Sequence, residues 1–418
     1  MCYRRATANC RDFFRTLAPS GTPIAARTIT EPAVARARGA AARLGALHPV
    51  RGALFYRGQQ CGLSGPRTVK GRARIAVALL IAGVVAAPAL FSSRDALSAE
   101  YTLMPSPETV HIGHFSAALK PVLTINSGDI VTIETATSLD PVEIDQSAIV
   151  LPSVVPEYQR AIHREVKDRG PSGHVLTEPI FVNGAQPGDT LEVRILEIDL
   201  AVDYGYNRQR PYTGALPDEF PGVFQRIIPI DRKAKTARVA PGVVVPVERP
   251  FFGVMGVAPT PAMGRISTSP PGVHTGNIDN KDLVAGTTLF MPVYTVGALF
   301  SVGDAHAAQG QGEVDLSAIE TGNRGKFQFI VRKDIKLTWP RAETPTHWMV
   351  MGLNPNLEEA MKMAVRETIL FLTQRFPKLS REEAYMIASV AVDYHVTQVV
   401  DGTKGIDGMI PKSIFVGQ

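Results

Sequence analysis

A mainly β fold whose C-terminal part turns α+β follows from three features of the 418-residue sequence. The 36 glycines and 32 prolines supply many turns and argue against a helical bundle. Short runs rich in Val, Ile, Thr and Phe, bounded by Gly, Asn, Asp and Pro, recur from Thr109 to about residue 335. A sustained 3.6-residue apolar period comes late, from Leu357 to about Phe376. Together these predict sandwich- or barrel-like sheets, with a first β unit at 105–250 and a second, α+β unit at 251–412 that carries the candidate site.

The formal net charge of +5 is misleading, because residues 1–72 carry 13 Lys+Arg against 2 Asp+Glu and leave 31 against 37 for the rest. The body of the chain is mildly acidic, which gives a nucleic-acid partner no support. Residues 1–68 lack any sustained period and read as disordered or as an over-extended N-terminus. Lys70, Arg72 and Arg74 then precede the apolar run Ile75–Ala87 and small residues up to Ala99. That order is a signal peptide at 69–99, shorter than a spanning helix needs, with an uncleaved anchor as the alternative. An exported, periplasmic or extracellular protein is expected, with no membrane contact beyond this segment. Cys2, Cys10 and Cys61 all precede it, so the mature chain has no thiol nucleophile, disulfide or cysteine-based zinc site.

In chain order, Pro121–Ile125 and Ile130–Glu134 flank Asn126-Ser127-Gly128-Asp129 and predict a hairpin. The phrase INSGDIVTIE is echoed by AQPGDTLEVRI at 185–195, which predicts a second Gly-Asp hairpin. Between them, 139–172 is a polar excursion over the sheet with a helix at 156–167. His111 and His114 beside a strand read as structural, and Tyr204, Tyr206 and Tyr212 stand in a loop suited to a substrate. Asn356 N-caps the long helix and Pro377 ends it, while Ser380 caps a second helix at 381–392.

The densest collection of possible ligands is His274–Glu313. Thr287–Ser301 reads as one strand, or as two separated at Gly297. Asp304 and His306 share a strand face, as do Asn277 and Asp279 if that segment is extended. Gly310 and Gly312 permit a turn that returns Glu313 to the same point.

The Pro121–Glu134 stretch, VNGAQPGD at 182–189, PFFGVMGVAP at 250–259, GNID at 276–279, VGDAHAAQG at 302–310, Ala318-Ile319-Glu320 and the segment Ala384–Asp401 run in order along most of 109–412. In them the chain resembles the acetamidase/formamidase family of amide hydrolases. The resemblance implies hydrolysis of a short linear amide, formamide- or acetamide-like, to ammonia and a carboxylate. The family usually has Thr-Gly-Pro where this chain has Thr177-Glu178-Pro179, and Gly-Asp-Gly-Glu where it has Gly310-Gln311-Gly312-Glu313. A catalytically altered periplasmic binding protein on the same fold is the alternative that these departures motivate.

With no cysteine, no Gly-x-Ser-x-Gly elbow and no Gly- and Ser-rich stretch for a Ser-Ser-Lys centre, a metal-activated water is the simplest chemistry left. The expected ligands of a divalent metal, zinc foremost, are Asp304 and His306 with Asp279 or His174. Glu313 is the expected general base and Asn277 a hydrogen-bonding partner of the amide, with His274 and Glu178 in reserve. A homo-oligomer would cover the sheet edges such a body leaves.

N-terminal sequencing of the exported protein should find a mature start near Leu90 or Ala99. Peptides from before Val69 would show that the first 68 residues are translated.

Overall fold

The computed structural model describes residues 98–416. The segments 1–68 and nearly all of 69–99 lie outside them. Among the described residues, no helix is long and apolar enough to cross a membrane.

Alternation builds the first sheet. Asn323–Arg332 lies antiparallel between Ile130–Glu134 and Thr190–Leu200. Along it Phe327 and Phe329 are buried, whereas Lys326 and Gln328 are partly exposed, so one face of the strand is apolar and the other is wet. Nine strands join this sheet and ten the second, which is centred on Ser301–His306 and Phe251–Gly256. The sheets pack face to face. Phe252 meets Phe327 with ring centroids 5.5 Å apart, Phe300 meets Phe329 at 5.1 Å, and Val131, Val193, Met255 and Val302 fill the same core. The two central strands of the second sheet are buried at every position. Val254 packs instead on Phe115 and Leu176.

Two local expectations change. The Asn126–Asp129 and Gln186–Asp189 turns form, each with an aspartate carboxylate accepting from the backbone N–H three residues earlier, at 2.8 and 2.9 Å. Neither makes a hairpin. Leu123–Ile125 pairs in parallel with Ile180–Val182, while Ile130–Glu134 and Thr190–Leu200 both flank Asn323–Arg332. Each turn is therefore an arch that carries the chain out of the small two-stranded sheet into the large one, and the echoed phrases occupy equivalent places. A hairpin pattern read from sequence specifies two strands and a turn, but not that the strands pair with each other. Position 250 does not divide the sheets either, since each takes strands from both sides of it.

The excursion at 139–172 carries two helices, α1 (Pro141–Ser147) and α2 (Glu157–Glu165). Leu139, Ile144 and Val155 from it pack against Val202, Tyr204 and Tyr206. Thr287–Ser301 resolves into Thr288–Pro292 and a loop leading to Ser301–His306, with Gly297 at φ 78° in that loop.

Helices α3 (Leu357–Arg375) and α4 (Arg381–Ala391) form a third layer on the first sheet. Asn356 Oδ1 accepts from Glu359 N at 3.1 Å, and Ser380 and Glu383 form a reciprocal capping box. Ala360 and Ala364 let α3 approach so closely that a Cβ on Gly352 would lie 2.0 Å from the Ala360 carbonyl oxygen. Because the obstacle is backbone, it cannot rotate away. Gly352→Ala should destabilise the fold by about 2–3 kcal/mol, read as a lowered midpoint of thermal unfolding; an unchanged midpoint would show that α3 is not seated this tightly.

Candidate active site

Register and strained backbone bring the donors together. Asp304 and His306 stand on the central strand Ser301–His306, and His306 is the ladder partner of Glu320 on the next strand. His306 Nε2 lies 3.1 Å from Glu320 Oε2 and 3.3 Å from Asp304 Oδ2. Asp279 follows Thr275–Asn277, the neighbour of Phe251–Gly256 on its other side. Glu313 returns on a loop tied to the strand Asp393–Gln398, where Gly312 N donates to the Thr397 carbonyl at 3.1 Å. Two groups of three donors result, Asp279–His306–Glu313 and Asp304–His306–Glu320, which share the imidazole.

Asp279, Asp304 and Glu313 all have left-handed backbones, with φ of 42°, 53° and 45°. Such conformations cost of order 1–3 kcal/mol each and persist where surrounding structure enforces them. For Asp304 this replaces the simple alternation argument, because a residue at positive φ interrupts the strand's two-residue period. Gly253 completes the arrangement. A Cβ there would fall 2.3 Å from Asp279 Oδ1, 2.7 Å from Asp304 Oδ2 and 2.8 Å from His306 Cε1, so only a glycine leaves room for these side chains.

The imidazole is oriented by Gln309. Its amide nitrogen donates to the Asp279 carbonyl at 2.8 Å, which leaves Oε1 to accept from His306 Nδ1 at 2.9 Å. With Nδ1 held against Gln309, Nε2 is the ring nitrogen left facing Asp304 and Glu320. Both Asp279 carboxylate oxygens, His306 Nε2 and Glu313 Oε2 are buried without a hydrogen-bond partner.

The electrostatics are strained accordingly. Burial, then the charges of Glu313 and Asp401, push Asp279 well above the usual carboxylate range, and burial with Asp401 and Glu320 does the same to Glu313. Burial opposes charge on His306, yet Glu320 and Asp304 outweigh it and raise its pKa well above 6.5. Burial would also raise Asp304, but His174 and His306 win and hold it well below the usual range. Protons are retained here because several carboxylates face one another out of water. A divalent cation matches the need these groups share, and the partnerless oxygens and the Gly253 recess fit one. Four carboxylates and one imidazole form a harder donor set than a typical zinc site.

Asp304, Glu313 and Glu320 open into a cavity of about 170 Å³, which Asp279 and His306 do not line. Asn277 and His174 line it with Asp304, Glu313, Glu320 and Asp401. His174 stands outside both three-donor groups. His274 packs against Phe115 with ring centroids 5.1 Å apart and does not line the cavity. Gln311 points away, 3.4 Å from Asp282, in a separate group of Asp282, His395 and Asp407. Tyr206 lines the cavity from a strand rather than a loop, whereas Tyr212 is exposed. Sequence pattern alone assigns no role to Glu320, Asp401, Gln309 or Gly253. Glu320 becomes visible only through its pairing with His306, and Gly253 only through the space a side chain would fill.

A fold of two packed sheets bearing a buried carboxylate–imidazole cluster defines a class, and comparison with known proteins gives it a name. The model of the Acetamidase/Formamidase family matches residues 164–269 and 262–416. This chain belongs to that family. It is 28% identical over 315 residues to a formamidase of Methylophilus methylotrophus, across 58% of this chain and 77% of that protein. To an acetamidase of Mycolicibacterium smegmatis it is 29% identical over 209 residues, across 36% of this chain and only 51% of that protein. Among solved structures, an enzyme of Thermoanaerobacter tengcongensis predicted to be an acetamidase/formamidase superposes with a TM-score of 0.64 at 28% identity, covering 76% of this chain and 97% of that one. An acetamidase of Bacillus halodurans gives 0.63 at 29%, covering 75% and 98%.

Glu178, where the family usually has glycine, lies outside the cavity and faces His111, with Oε2 3.8 Å from Nδ1. The two are not an ion pair at neutral pH. Burial, then His114, lowers His111 to about 3, and burial, then Asp168, raises Glu178 to about 7. Unfolded, Glu178 ionises near its ordinary 4.5; folded, it keeps its proton up to about 7. The folded state therefore binds more protons within that window, and this group's contribution to stability falls as pH rises through it. Glu178→Gln should raise the unfolding temperature at pH 8.5 and have little effect at pH 4.5. An equal shift at both values would show that ionisation is not the cause.

Proposed function

We propose that the protein hydrolyses a short linear carboxamide to ammonia and a carboxylate in the cavity above His306. The observation that carries this is the convergence of Asp279, Asp304, His306, Glu313 and Glu320 with buried, partnerless donor atoms turned towards one another. Asp304, Glu320 and His306 Nε2 would hold a divalent metal, with Asp279 completing the set. When bound, such a metal supplies Lewis acidity, polarising the amide carbonyl and making water acidic enough to ionise near neutral pH.

The remaining work falls to the side chains. Glu313, beside the Gly312 turn, takes the proton of the attacking water and passes it to the amide nitrogen as the C–N bond breaks. Burial raises its pKa, which makes it a stronger proton acceptor than a solvated carboxylate. Asn277, whose Oδ1 has no partner, accepts a hydrogen bond from the amide NH₂ and orients the carbonyl. Tyr206 keeps its phenolic proton, because burial and the charge of Glu320 raise its pKa, and so remains a donor. At about 170 Å³ the cavity holds the space of roughly six waters, which restricts the substrate to a few carbon atoms. Glu178 and Gln311 stand outside it, so the departures that motivated a binding protein do not touch the chemistry. From the pattern at 69–99, the enzyme would act after export.

Purified protein should release ammonia from formamide or acetamide, lose the activity on removal of metal by a chelator, and regain it with zinc, manganese or calcium. Full activity in a metal-free sample would overturn the metal. Glu313→Gln should lower turnover about 10²–10⁴-fold while metal content is kept; an unchanged rate would remove Glu313 from the mechanism.

A further inference from the structure

The cavity is lined by side chains of opposite charge. Asp304, Glu313 and Glu320 line it, and so do Arg208 and Arg210. Both guanidiniums are near enough to Tyr206 to oppose the rise in its pKa. Arg208 is partly committed, with Nη2 on Glu143 and Nε on Gln225, which leaves Nη1 without a partner. Arg210 is exposed and has no carboxylate partner among the described residues. A neutral amide such as acetamide has no charge for these cations to pair with.

We propose that the preferred substrate is a small amide with a negative charge at its far end, the monoamide of a short dicarboxylic acid, and that Arg210, assisted by Arg208, receives that charge. The assignment rests on the amide-hydrolase reading and specifies its substrate class. Polarity sets the orientation. The carboxylates repel an anionic tail and the arginines attract it, so the tail is held against Arg210 and Arg208 while the amide is left to Asp304, Glu313 and Glu320. Guanidinium and carboxylate match as a planar, two-point pair. Hydrolysis then forms a bond from the water oxygen to the amide carbon and breaks the C–N bond. Nitrogen leaves as ammonia with the transferred proton, and a dicarboxylate remains. No other reactant is needed.

The test measures ammonia release by the full-length protein from two pairs of equal carbon number, malonamate against propionamide and succinamate against butyramide. The charged member should have the higher kcat/KM in at least one pair, and added salt should narrow the difference. Arg210→Gln should reduce the charged-to-neutral ratio of kcat/KM about tenfold or more, mainly through KM, with Arg210→Lys retaining part of the preference. Turnover of neutral amides with no preference for charged ones, or a preference that Arg210→Gln leaves intact, overturns the assignment alone. Release of ammonia from formamide or acetamide but from none of the four overturns the assignment alone, and failure with all six amides overturns the amide-hydrolase reading and this assignment with it.

Discussion

Too many ionisable groups surround one imidazole for protein hydrogen bonds to satisfy them. Asp279, Asp304, Glu313 and Glu320 are all held within reach of His306, and charge buried without compensation is among the costliest things a protein can contain. Without a counter-charge the cluster retains protons, which explains the opposed shifts of Asp304 and Asp279 within one site. The rest of the second sheet serves this cluster. It supplies the ladder that sets Glu320 beside His306, the glycine that clears space, and the glutamine that orients the imidazole.

Packing and chemistry are built on opposite faces of the same strands. The inner face of the second sheet gives Phe252, Met255 and Val302 to the core shared with the first sheet. The same strands carry Asp304 and His306 away from that core. The interlocked phenylalanines make that support stiff, and a stiff support is what keeps three carboxylates in left-handed backbone from relaxing.

Much of this was legible in the sequence, for identifiable reasons. Asp304 and His306 could be found because they lie two residues apart on a strand, and Glu313 because glycines flank its turn. The β class and both C-terminal helices followed from period and caps. Pairing over long distances was not legible. Nothing local says that Leu123–Ile125 lies beside Ile180–Val182 instead of its own neighbour, or that His306 faces Glu320. His174 illustrates the opposite limit. Its residue type suggested a ligand, and the structure seats it on the cavity wall with Asp304, outside the two three-donor groups around His306.

The two arches also bear on how the chain reaches this state. A hairpin closes on itself within microseconds and can template the pairing of later strands. An arch closes nothing until a distant segment arrives. Here Ile130–Glu134 has Glu100–Leu103 as a neighbour and Thr190–Leu200 has Thr288–Pro292, but the two are joined only through Asn323–Arg332, more than a hundred residues further on. The first sheet is therefore completed late, and a chain truncated before Asn323 lacks the strand that joins its two halves. Such topology folds slowly and exposes strand edges while it does so, which makes the order of assembly, rather than the final stability, the step at which this protein depends most on its surroundings.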